Sequence, residues 1–481
     1  MMLTRNIYKY LSIPVGIILV FLFRIVPGAC FILALAAIFT LGIKVFAKEN
    51  SHFLITIFIS ALAIRLICAT ALYLFSLHGG YGGFLGGDES VYYKRGINIA
   101  AAGSIDSKNL FSNTPELGDR GFAVNLFSVM ESILIFTFGP SLILIKYFNS
   151  IIGALLPVSV FLLAKTIYNN DKLAKAASIL SAFFPSLIIW SAIGTKEALT
   201  ILIITGIFYF HIKNSKKLSF LYSVNILVLI ACLLFLQHIP ALVFIAVYIL
   251  WMMCRNLNKF MGKEVTLMIC ILIGSLIFLT HQKNIGKILY DISLHQVHQF
   301  LAGSNDSSRF KLYPYKSKYP FYDFYEHIVV PEDVFNNITP YDSTAVIKNS
   351  IIKIRWINYL YSYVKGLGYA LFAPFPWDIR SSLQLIIYPQ IIFWWCIIPY
   401  ILYGIIWSLR FKSKETGLLI FFITCIYSLM ALTEGNIGSV FRHRDWVTPF
   451  GLMFAALGFM CIFVPGSTKE LINITHSSKE K

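Results

Sequence analysis

The sequence predicts an all-α polytopic membrane protein with about twelve transmembrane helices (roughly 11–14), and three observations predict it. Hydrophobic residues make up 57% of the chain and charged ones 13%. With a mean hydropathy of +0.73, this is more apolar surface than a globular exterior can hide. Apolar runs of roughly 18–25 residues recur between short charged clusters, long enough to cross a ~30 Å hydrocarbon layer as helices, which satisfy their own backbone polar groups there. Lys and Arg gather on alternate connections, as the cytoplasmic side of a membrane requires.

Taken in order, the runs fall at about 9–24, 27–46, 53–77, 141–166, 173–192, 195–212, 218–236, 239–254, 264–281, 383–408, 416–433 and 445–465. As successive spans they place seven basic groups on one side. These are Arg5 and Lys9; Lys44 and Lys48; Lys165, Lys172 and Lys175; Lys213, Lys216 and Lys217; Arg255, Lys259 and Lys263; Arg410, Lys412 and Lys414; and the 469–481 tail. Both termini are therefore expected in the cytoplasm. The chain then divides into N-terminal helices (1–77), a first outer loop (78–140), a transmembrane bundle (141–281), a large outer loop (282–382) and C-terminal helices with a tail (383–481).

Two apolar stretches break this alternation if counted as crossings. Residues 121–138 carry Asn125 and Glu131, and 356–372 carry Asn358, Lys365 and two glycines among tyrosines. Both suit helices lying at the outer interface, where amphipathic side chains keep one end in water. A re-entrant pair is the other reading of each, and the sequence leaves both open.

Composition also excludes other classes. The formal charge of +17 is scattered at the ends of apolar runs rather than gathered on a soluble face, so no nucleic-acid partner is expected. The eight cysteines lie in or beside apolar segments, with no Cys-x-x-Cys and no histidine at metal-ligand spacing, and read as packing residues. The first run follows Arg5 and Lys9 like a signal peptide, yet no small-residue cleavage site follows, so it is read as a span.

Chemistry concentrates on the outer side. Gly86-Gly87-Asp88-Glu89-Ser90 presents adjacent acids on a glycine turn at the end of a long apolar run. The same side receives Gly194-Thr195-Lys196-Glu197, Gln237-His238, and the turn from Glu434 through Asn436 to Arg442-His443-Arg444-Asp445. Ionisable groups converging at a membrane edge mark a functional site, because they are expensive there unless paired or wetted. A carboxylate can serve as general base on an attacking hydroxyl or amine, and Asp88 is placed in that role with Glu89 beside it. Arg442, Arg444 and Lys196 are the candidates for holding a donor phosphate, since a guanidinium fork matches phosphate and positive charge stabilises a leaving anion. Arg442 and Arg444 would project about 200° apart on a helix, so one of them points inward, with Arg442 preferred.

Plainer readings stand beside these. Asp88 and Glu89 suit the first turn of the helix that starts near Ser90. Lys196-Glu197 suits an interfacial couple, Arg442-His443-Arg444 an interfacial anchor, and His238 an interface histidine. Arg65, inside the third span, pairs within the bundle or acts beyond it.

The ordered set of features resembles the GT-C superfamily of membrane glycosyltransferases. It comprises the helix containing Arg65, Gly87-Asp88-Glu89-x-x-Tyr92, Arg120-Gly121-Phe122, Phe138-Gly139-Pro140, Lys146 to Ala154, Leu162 to Lys165, Phe184-Pro185-Ser186-Leu187 and Lys196-Glu197-Ala198-Leu199. That group includes protein mannosyltransferases and aminoarabinose transferases. The resemblance implies a polyprenyl-phosphate-linked sugar donor, a glycan, lipid or protein acceptor, a catalytic acid at Asp88, and an active site on the extracytoplasmic face. Tyr92, Arg120, Glu197, His238, Glu434, Asn436 and His443 are the candidate substrate contacts. No cofactor is fixed by it; a divalent metal at the two acids is one option. Phe375-Pro376-Trp377 and Glu434-Gly435-Asn436-Ile437-Gly438 differ from protein mannosyltransferases and look like bacterial members associated with surface polysaccharides, which implies the bacterial inner membrane.

Two other functions fit the same features. A polysaccharide polymerase acting on polyprenyl-diphosphate oligosaccharides would also use arginines and a large outer loop. A lipid or glycolipid transporter would carry its polar groups inside the spans, where this chain is largely apolar.

Overall fold

The computed structural model describes residues 28–102, 126–216, 220–255, 310–313, 328–331, 356–376, 382–433 and 437–464. The expected spans at 9–24 and 264–281, and with them Arg120, Glu434 and Asn436, lie outside the described residues. Among those described, four helices are long and apolar enough to cross a membrane: Ala29–Ala47, Ser51–His78, Leu142–Tyr168 and Tyr388–Phe411. A bent pair makes a fifth, and shorter apolar helices cover Ser223–Leu236, Pro240–Ile249, Glu415–Ala431 and Thr448–Phe463. The molecule is thus a helical, multi-pass membrane protein, with fewer full-length crossings among the described residues than the twelve expected. Residues 121–138 contribute a helix over Leu126–Phe138 of 13 residues, about 20 Å long and short of a bilayer core.

The chain divides into two compact units, Met1–Ser159 with Ser178–Leu202, and Val160–Ala177 with Ile203–Lys481. In the first, α1 (Ala29–Ala47) packs on α2 (Ser51–His78), with Phe39 edge-on to Phe58 at 6.5 Å. A glycine-rich loop leads from α2 to α3 (Gly87–Ala101). There Gly83 adopts φ +88°, and a Cβ on it would meet the Tyr73 ring at 2.5 Å, so backbone conformation and space both call for glycine. Helix α4 (Leu126–Phe138) lies on α3, and α5 (Leu142–Tyr168) follows.

The expected span at 173–192 is broken. It is built from α6 (Asp171–Phe183) and α7 (Pro185–Ala192), bent by 54°. Pro185 has no N–H to continue the ladder and holds Phe184 extended at φ −70°, ψ 120°. The break leaves the last carbonyls of α6 without intrahelical donors, and Arg65 answers one of them. Its Nη1 donates to Ala182 O and to Ala61 O of its own helix, both at 3.0 Å. A guanidinium that is fully buried thereby sits at the negative end of a helix dipole, which offsets part of its burial. Helix α7 also approaches α5 closely, since a Cβ on Gly153 would lie 2.2 Å from Ser191 Cβ. Helix α8 (Glu197–Lys216) then runs on into the second unit.

The second unit also holds α9 (Phe220–Leu236), α10 (His238–Arg255), a hairpin of β1 (Phe310–Tyr313) and β2 (Ile328–Pro331), and α11 (Trp356–Phe372). After them come α12 (Ser382–Phe411), α13 (Ser413–Thr433), α14 (Ile437–Arg444) and α15 (Thr448–Phe463). The hairpin is antiparallel with Phe310 opposite Pro331. The core of this unit brings Phe208, Phe244, Phe422 and Phe450 into edge-to-face contact, with Phe208 5.4 Å from Phe450. Helices α12 and α15 touch backbone to backbone: a Cβ on Gly404 would lie 2.1 Å from Phe454 O, and one on Gly458 2.1 Å from Tyr400 O. Small residues permit this approach where lipid supplies no hydrophobic drive between helices.

Candidate active site

Helix α3 begins on the glycine turn. Gly86 is its extended N-cap (φ −137°, ψ 155°) and contributes no side-chain hydrogen bond. Asp88 and Glu89 occupy the first turn, where the exposed N–H groups favour negative charge. From there the two acids part. Asp88 is half-buried, whereas Glu89 is completely enclosed.

Glu89 Oε2 accepts from Leu85 N at 2.9 Å, just before the helix, much as a capping-box glutamate reaches back. Its Oε1 accepts from Gly194 N at 2.8 Å and from the Lys146 ammonium on α5. Lys146 is enclosed as well, so the pair is an ion pair shut away from water. Gly194 leaves room for it: a Cβ there would fall 3.1 Å from Glu89 Oε1. The turn that supplies this amide is held to α5 by Asn149, whose Nδ2 donates to Trp190 O and to Ile193 O.

Two residues beyond Gly194, the Lys196 ammonium lies 5.6 Å from the centre of the Tyr92 ring, a cation–π distance. Tyr92 is one helical turn beyond Asp88 and therefore on the same side of α3. The first unit thus gathers Asp88, Glu89, Tyr92 and Lys196, which the sequence singled out, at the start of one helix. Glu197 is also here, buried in the first turn of α8.

Sequence reasoning passed over two residues of this cluster. Lys146 carried a readable signal, being a lysine near the start of an apolar run, where it needs an acid. Glu131 on α4 was legible only as a polar residue in an apolar stretch. It is buried beneath α3, where a Cβ on Gly96 would sit 3.0 Å from Glu131 Cβ. Neither of its oxygens has a hydrogen-bond partner among the described residues. Burial, reinforced by the charge on Glu89, raises its pKa well above the usual carboxyl value.

The second unit contains the basic turn. Arg444 is enclosed: its Nη1 donates to Ala373 O at 2.9 Å, and its guanidinium lies 5.3 Å from the Trp394 ring and 5.0 Å from that of Phe441. Burial lowers its pKa from the ordinary guanidinium value. His443 is buried against Trp446, with ring centres 4.2 Å apart, while Arg442 is half-buried. Of the two arginines Arg444 is therefore the enclosed one, where the sequence preferred Arg442 to point inward. His238 opens α10.

No family model and no curated protein matches the chain. Among solved structures it is similar to the archaeal oligosaccharyltransferase AglB from Archaeoglobus fulgidus, in complex with an inhibitory peptide and a dolichol-phosphate. That match has 14% identity and a TM-score of 0.48, over 87% of this chain and 52% of that one. It is also similar to ArnT from Cupriavidus metallidurans bound to undecaprenyl phosphate, with 10% identity and a TM-score of 0.49, over 88% of this chain and 62% of that one. The chain therefore spans between half and two thirds of the length of either structure.

Proposed function

We propose that this chain is a membrane glycosyltransferase of the GT-C kind, moving a sugar from a polyprenyl-phosphate donor to a glycan, lipid or protein acceptor on the extracytoplasmic face. The observation that supports this reading is the division of labour between adjacent acids. Glu89 is locked below the surface, so Asp88 is the half-exposed carboxylate, one helical turn before Tyr92, over whose ring Lys196 lies.

In the proposed reaction Asp88 accepts the proton of the acceptor hydroxyl or amine as that atom attacks the anomeric carbon. The bond from that carbon to the phosphate oxygen breaks, and its electron pair leaves with the lipid phosphate. Lys196 balances the charge that builds there. A divalent ion held jointly by Asp88 and Glu89 does not suit this arrangement, because both Glu89 oxygens already face hydrogen-bond donors.

The test is a membrane assay offering a panel of polyprenyl-phosphate sugars and measuring released lipid phosphate. Release with at least one donor, lost in Asp88→Asn, supports the proposal. Full activity of that variant removes Asp88 from the mechanism, and release from diphosphate-linked oligosaccharides alone favours a polymerase.

A further inference from the structure

Among buried ionisable groups, Glu89 is unusual in the number of separate segments it ties. One carboxylate reaches back to the loop before α3 through Leu85 N, across to α5 through Lys146, and to the turn between α7 and α8 through Gly194 N. The last two partners are 57 and 105 residues away in sequence. Asp88 adjoins one end of this junction and Lys196 lies two residues past the other. The Lys196–Tyr92 contact closes the loop at 5.6 Å.

We propose that Glu89 is a positioning residue: its enclosed carboxylate, with Lys146 as counter-charge, fixes the helix turn carrying Asp88 against the turn carrying Lys196. This rests on the roles proposed above for those two residues, while the mechanical coupling stands by itself. Each oxygen has a fixed donor and the group has no exposure, so Glu89 is closed off from substrate. Its contribution to the reaction is distance. Misplacing reacting groups by about 1 Å can lower a rate by about 10²-fold. Lys146 supplies the counter-charge, and the one carboxylate accepts from Leu85, Gly194 and Lys146 together.

Coupling can be read without activity. Amide exchange, followed by mass spectrometry on the purified full-length protein, reports the segments 84–90 and 193–197, which contain the two amides that Glu89 holds. Two substitutions approach from opposite ends. Glu89→Gln with Lys146→Met removes both charges together while keeping volume, which spares the fold an unpaired buried charge. Gly194→Ala leaves the charges but presses a methyl on the carboxylate at 3.1 Å. In the double variant both segments should exchange at least about tenfold faster together, with the rest of α5 unchanged. In Gly194→Ala the 84–90 segment should quicken although the substitution is far away in sequence. Lys146→Arg by itself, which keeps a positive charge beside Glu89, should leave both segments slow to exchange.

Acceleration of one segment alone, or of neither, in both variants overturns the proposal. In the transfer assay the double variant should lose about 10²-fold at the plateau and keep the midpoint of its pH profile. Disappearance of the acid limb would instead make Glu89 a proton-transfer group and sink the positioning role. Coupled exchange in a protein that releases lipid phosphate from no donor would retain the coupling and retire the glycosyltransferase reading.

Discussion

Glu89 and Lys146 form an ion pair in which neither side chain has any exposure, joining the first turn of α3 to α5. Their Coulomb attraction in an apolar medium offsets the desolvation of both charges, and the amides of Leu85 and Gly194 take up two further lone pairs. Removing one partner leaves the other buried and uncompensated.

Lys146→Met alone is therefore expected to destabilise the protein by about 3–5 kcal/mol, whereas Lys146→Met with Glu89→Gln recovers most of that loss. Thermal unfolding of detergent-purified variants measures both. Equal destabilisation by the single and double changes would show that the pair is not energetically coupled.

Asp88→Asn keeps size and removes the proton acceptor. Transfer should fall by about 10²–10⁴-fold. Unfolding temperature should move far less than activity, because Asp88 is half-buried and Asn keeps its size, with an interaction with the helix dipole of about 0.3–1 kcal/mol among what is lost. Lipid-phosphate release and a melting curve on the same preparation separate the two effects.

Glu131 sets a pH dependence of stability. Its folded pKa is raised by burial and by Glu89 above the ordinary 4.5, so the native state keeps a proton that the unfolded chain releases. Below about pH 4.5 the group is neutral in both states and exerts no penalty. As pH rises above that value toward the folded pKa, unfolding releases a proton and stability declines. Glu131→Gln, neutral at every pH, should raise the unfolding temperature at pH 7–8 and flatten this decline. An unchanged slope between pH 5 and pH 8 would argue against a protonated Glu131.

Two glycines make a matched comparison. A methyl on Gly153 would lie 2.2 Å from Ser191 Cβ, while one on Gly42 meets nothing within 4 Å. Gly153→Ala should push α5 and α7 apart and cost about 1–3 kcal/mol. Gly42→Ala in α1 should be neutral or stabilising by up to about 1 kcal/mol, through helix propensity. Melting temperatures, or yields from membranes, should rank the two in that order.

The proposed orientation is tested on α3, where Asn98 is exposed and Ser90 is buried. A cysteine in place of Asn98 should react with a membrane-impermeant maleimide added to intact cells. Labelling confined to lysed cells would invert the topology.

By itself, the sequence determined that this is a helical, multi-pass membrane chain, because apolar run length and the paucity of charge leave few other ways to satisfy the backbone in lipid. It also marked the glycine turn carrying Asp88 and Glu89, and the start of α8 at Lys196-Glu197, because glycine turns and acidic first turns are local signals. What only the tertiary structure decided is which acid is enclosed. Asp88 and Glu89 are neighbours with the same chemistry, and the difference between them comes from Lys146 and Gly194, 57 and 105 residues from Glu89. The same holds for Arg442 and Arg444, separated by the helical turn and by the rings of Trp394 and Phe441 that enclose one of them. The break at Pro185 was visible as a residue, but its partner Arg65 lies 117 residues before the accepting carbonyl. Burial and pairing are properties of what folds against a side chain, and no local pattern encodes them.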